Sequence, residues 1–103
     1  MGEVTRQYLS GELSLRLGEL ESVAGDPRHQ QLVRQLRRDA EWMPTGRLGD
    51  LVWRGLQLGE EACWLALEEG DWQQFLRRIS VCSALWEFGL CSCLIDSPQA
   101  PGT

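Results

Sequence analysis

The sequence predicts an all-α fold, an antiparallel four-helix bundle, and three observations carry that prediction. Apolar residues recur at the period of about 3.6 of a helix through four segments. Short breaks at Gly25-Asp26-Pro27, Met43-Pro44-Thr45-Gly46 and Glu69-Gly70-Asp71 separate those segments. The third segment holds Gly55 and Gly59 in the middle of its apolar stripe, so a neighbouring helix can come close there.

The first helix is expected over 4–24, with Leu9, Leu13, Leu17, Leu20, Val23 and Ala24 on one face. Gly11 and Gly18 each weaken it by up to about 1 kcal/mol relative to alanine. Gly25 suits a helix C-terminus, Asp26 a cap and Pro27 a first turn, so the second helix starts at 27 and runs to 42. Leu32, Val33, Leu36 and Ala40 point inward, while Arg34, Arg37 and Arg38 lie outside, complementary to the acids of the first helix. Pro44 breaks the helix at Met43, and Thr45 is the expected cap of a third helix over 46–69. Asp71 with Gln74 forms a capping-box-like start for a fourth helix over 71–94, so the last two helices form a tight hairpin.

In that fourth helix Trp72, Phe75, Leu76, Ile79, Cys82, Trp86, Leu90, Cys93 and Leu94 share the expected core face, with Gln73, Gln74, Arg77 and Arg78 behind. Beyond Arg78 the helix is apolar nearly all round, adding Val81, Leu85, Phe88 and Ile95. A helix of that kind is buried on all sides, which in so small a bundle predicts help from another chain. Residues 1–95 are expected to form a single domain, and 96–103 a flexible tail of turn and linker composition.

Fifteen acids against ten bases give a net charge of −5, which weighs against a nucleic-acid footprint. Every base is arginine; lysine and asparagine are absent, a texture that fits a GC-rich bacterial genome. The start of the chain lacks the basic residues and apolar run of a secretory leader. The most apolar stretch, 79–95, is interrupted by Glu87 and three serines, short of a membrane span. The expected compartment is the cytoplasm.

Candidate chemistry is sparse. Cys63, Cys82, Cys91 and Cys93 show no paired CxxC spacing, and free cysteine commonly packs as a small hydrophobe. Cys82 and Cys93 fall on the expected core face, and Cys91 projects away from it. His29, the single histidine, projects onto the apolar side of the second helix. No nucleophile elbow, phosphate loop or di-iron motif is present. Trp53 and Trp64 lie three turns apart on a shoulder between the apolar and polar faces of the third helix, a placement typical of interfaces.

These readings predict a non-catalytic protein-interaction or self-associating module, a homodimer, with no cofactor and no membrane partner. Its interface candidates are Trp53, Trp64, Val81, Leu85, Phe88, Cys91 and Ile95. One alternative is a metal or small-ligand site from Cys82, Cys93 and His29. A second is a DNA-binding regulator reading through the arginines of helix 27–42.

Overall fold

A computed structural model describes residues 2–96 of the chain. Four helices follow in order: α1 (Glu3–Val23), α2 (Pro27–Trp42), α3 (Thr45–Glu68) and α4 (Trp72–Cys91), with no strand among the described residues. The expected tail lies outside the described residues from position 97 onward.

The punctuation works largely as the sequence predicts. The Asp26 carboxylate accepts from Arg28 N at 2.8 Å, and Asp71 accepts from Gln74 N at 3.1 Å. Thr45 is not a cap but the first helical residue, because Pro44 already holds the extended geometry that precedes a helix. At the end of α3, Gly70 takes a positive φ of 73° while Asp71 N donates to Ala66 O, the paired-bond ending that favours glycine.

Consecutive helices run antiparallel. Ser10 Oγ donates to Ala40 O at 2.6 Å, and Arg6 donates to Glu41 O and Met43 O, so α1 begins where α2 ends. At the other end, Glu21 takes hydrogen bonds from Arg34 and Arg37, the complementarity expected between the first two helices. Burial pushes the Glu21 carboxyl up, but the hydrogen bonds and charges of Arg37 and Arg34 outweigh it and hold it below its ordinary value. A carboxyl lowered in the folded state stabilises above the usual carboxylate range and stops doing so as pH falls through its folded value. Glu21→Gln is therefore expected to reduce the urea midpoint at neutral pH, with the gap to wild type closing as the pH falls below the ordinary glutamate range.

In cross-section the bundle is a flattened rhombus. α1 and α3 touch each other and both remaining helices, whereas α2 and α4 do not meet among the described residues. The molecule spans only 16 Å in its thinnest direction. Leu9, Leu13, Leu17 and Leu20 of α1 pack with Val33, Leu36, Leu48, Leu51, Val52 and Leu58 from α2 and α3. Leu32, expected inward, is on the exposed side of α2.

The glycines of α3 set the closest approaches. A Cβ at Gly55 would stand 2.8 Å from Leu17 Cδ2 and 3.0 Å from Leu85 Cδ2, and one at Gly59 would collide with Cys82 Sγ. The small residues in the third helix's stripe therefore do what their spacing predicts.

Two features of α4 depart from expectation. It is rolled by about a quarter turn, so that Arg78, Leu85 and Gly89 face the core, rather than the stripe from Trp72 to Leu90. Arg78, expected on the polar back, is 6% exposed; Nε donates to Val23 O at 2.9 Å and Nη1 to Ala62 O at 2.6 Å. The helix also stops at Cys91, before the expected 94. Cys93 turns left-handed at φ 61° while Leu94 N and Ile95 N both reach back to Gly89 O. That reversal drives Ile95 into the space left by Gly89 beside Val52, and sets Leu94 O against Gly49. Cys93, expected in the core, is exposed in this turn.

No helix of the described residues is long and apolar enough to cross a membrane.

Candidate interaction site

The roll of α4 brings an apolar seam to the surface along the α3–α4 hairpin. Trp64 is 58% exposed, Trp72 65% and Ile79 41%, while Leu76, 62% exposed, lies further round α4 in a cleft it shares with Val23 of α1. Trp72 meets Phe75 edge to face at 5.6 Å, and Trp53 meets Trp86 in the same manner at 5.8 Å. Between these two aromatic pairs runs a groove of about 370 Å³, walled by Leu56, Trp64, Leu67, Phe75 and Ile79. Cys63 and Cys82 line it as well, and Glu60 is its only charged residue.

The comparison with α2 isolates what is unusual. Both helices occupy outer corners of the rhombus, so each turns one broad face outward. On α2 that face is mainly polar: Arg28, Gln31, Arg34, Gln35 and Arg38 surround a shallow cleft whose one apolar side chain is Leu32, and Trp42 is exposed at the helix's last residue. On α4 the outward residues include Trp72, Leu76 and Ile79. Position in the fold does not dictate such a surface, since α2 meets solvent at the same position with mainly polar groups. Contiguous exposed apolar side chains of this kind mark interaction surfaces.

The two thiols of the groove are not poised for nucleophilic work. Burial pushes Cys63 up from its ordinary value, with a smaller opposing pull from Cys82 as a hydrogen-bonding neighbour and from the charge of Arg78. Burial pushes Cys82 up to about 12, reinforced by Cys63. Both therefore stay protonated at neutral pH.

The expected interface residues divide. Trp53 and Trp64 are exposed, as is Cys91. Val81 and Phe88 are half-buried against the bundle's own core. Leu85 and Ile95 are corrected outright: at 1% and 6% exposure they belong to that core. The apolar second half of α4 thus finds most of its cover within the chain. The surplus surface sits instead on the first half, at Trp72, Leu76 and Ile79, residues the periodicity assigned to the interior. One signal could have found them. In the hairpin, Gly59 faces Cys82 and Ala62 faces Arg78, pairs spaced nearly symmetrically about Gly70-Asp71. Reading outward from that turn places Arg78, not Ile79, against α3.

The alternative metal set is not assembled. His29 lies at the start of α2, whereas Cys82 is in α4 and Cys93 is beyond its far end, and α2 does not touch α4. His29 is buried, with Nε2 3.5 Å from Glu61 Oε1 and Nδ1 3.5 Å from Asp26 Oδ2. The two carboxylates approach opposite edges of the ring, so His29 links the start of α2 to α3. Among the described residues no group of three or more His, Cys, Asp or Glu side chains is placed to hold a metal ion. Of the arginines expected to read DNA, Arg34 and Arg37 are committed to Glu21.

The fold and seam define a four-helix bundle with one apolar outer face. Compared with family models, curated proteins and solved structures, the chain matched nothing.

Proposed function

We propose that the protein is a non-catalytic self-association module that dimerises through the seam between α3 and α4. The observation that supports this reading is the exposed run of Trp72, Leu76 and Ile79 on α4, a corner helix, beside Trp64 of α3, where the other corner helix, α2, is mainly polar. Those four side chains expose on the order of 500 Å² of largely apolar surface. With Trp53 and the rim, the seam approaches the ~800 Å² that a standard interface takes from each partner.

A second copy is the occupant because an apolar face of this kind is covered by its own counterpart across a two-fold axis, with the same residues buried on both chains. The location this reading implies is the cytoplasm, where the exposed Cys91 stays reduced.

Sedimentation equilibrium at tens of micromolar protein is expected to give twice the chain mass of 11.7 kDa. The double substitution Leu76→Glu with Ile79→Glu should return a monomer with unchanged far-ultraviolet circular dichroism. A wild-type chain that stays monomeric throughout the range overturns the proposal, as does a dimer indifferent to the double substitution.

A further inference from the structure

We infer that Cys63 and Cys82 form a two-coordinate site for a soft monovalent metal ion of the copper(I) class. Two independent features of the α3–α4 hairpin carry this, and neither depends on self-association.

The first is the pairing of the sulfurs. Cys63 on α3 and Cys82 on α4 line the same apolar groove from its two sides. Gly59 makes this possible, since any side chain there would collide with Cys82 Sγ. The second is Arg78, one turn before Cys82. It is buried, its hydrogen bonds go to the neutral carbonyls of Val23 and Ala62, and it forms no ion pair among the described residues. Buried charges are ordinarily balanced by an opposite charge. Two thiolates around one monovalent cation carry a net charge of −1, opposite to that of Arg78, which hydrogen-bonds the carbonyl of Ala62 next to Cys63.

The donor set decides the metal. Zinc and iron–sulfur clusters take four protein ligands in closed sites, and no third His, Cys, Asp or Glu joins the pair in a metal-binding group. Glu60 lines the groove but offers hard oxygen, which soft ions disfavour. Thiolate sulfur selects copper(I), a closed-shell ion satisfied by two thiolates in line. On binding, each S–H bond breaks and its proton passes to solvent, two S–Cu bonds form, and the copper stays monovalent.

The test titrates the full-length chain with copper(I), without oxygen, against a bicinchoninate competitor, followed by native mass spectrometry. The expected result is one copper per chain with the loss of two protons. It should persist in the Cys91→Ser/Cys93→Ser variant and vanish in Cys63→Ser and in Cys82→Ser. X-ray absorption at the copper edge on the Cys91→Ser/Cys93→Ser protein should count two sulfur neighbours and no nitrogen or oxygen, which holds the test open even where Cys63→Ser fails to fold. Failure to retain copper against the competitor overturns the site. So does copper that survives loss of Cys63 or Cys82, copper that departs with Cys91 and Cys93, or any other coordination shell.

Discussion

Truncating Leu17 to alanine is expected to lower the unfolding free energy by about 3 kcal/mol, and a methyl group added at Gly55 should return part of that loss. Leu17 is fully buried on the short diagonal of the rhombus, where α1 and α3 meet beneath Leu85. Gly55→Ala by itself gains up to about 1 kcal/mol of helix propensity but forces the tips of Leu17 and Leu85 aside, which costs ~1–3 kcal/mol. Alone it is therefore neutral to destabilising. Once Leu17 is alanine, the 2.8 Å contact is gone and the new methyl group lies in the vacated space. The propensity gain then survives and the cavity shrinks. The double variant should exceed Leu17→Ala in stability, with a coupling between the sites of about 0.5–3 kcal/mol. Urea denaturation of the four chains at one fixed protein concentration measures it, the concentration being held because association adds to apparent stability. Strict additivity would mean that the diagonal is not packed as closely as these distances require.

The helices were legible because their signals are local. Asp26-Pro27, Gly70 and Asp71 act within one or two residues of themselves, and α1 and α3 bury the leucines that their periodicity nominates. The face of α4 was not legible from periodicity, because both of its candidate faces are apolar over most of its length. Between Trp72 and Ile79 the hydrophobic count favours the wrong one. What overrules it is a polar requirement at a distance: the carbonyl of Val23, far away in sequence, needs a donor that Arg78 supplies. The end of α4 was hidden for a related reason. Leu94 and Ile95 continue a helical pattern, yet Gly49 and Gly89 leave a gap that rewards turning back into the bundle. The candidate site suffered most, since a quarter turn moves Trp72, Leu76 and Ile79 outward while carrying Leu85 in. Trp53 and Trp64 were recognisable, because a shoulder position on α3 does not depend on that rotation.

Arg78→Met, which keeps the aliphatic stem and removes the guanidinium, is expected to destabilise the fold by about 2–3 kcal/mol. The opposite sign has a serious physical case. Burying an unpaired charge is costly, and replacing buried ionic groups by apolar ones can stabilise a protein by ~1–4 kcal/mol. That relief applies when both partners of a pair are replaced together. Here the partners are backbone carbonyls that no side-chain substitution removes. The Val23 carbonyl is the harder case: its helical donor would be the N–H of residue 27, which is Pro27 and has none. Methionine would leave that oxygen buried and unpaired, at the end of α1 where the helix dipole concentrates negative charge. Arg78→Lys should recover less than half of the loss, because one ammonium does not span both carbonyls as the planar fork does. A second readout separates this tie from simple packing. Without it, α4 is free to roll its apolar stripe inward, so tryptophan emission should shift to the blue and self-association should weaken. Unchanged stability together with unchanged emission would show that Arg78 does not hold α4 in place, and the exposed seam would then need another cause.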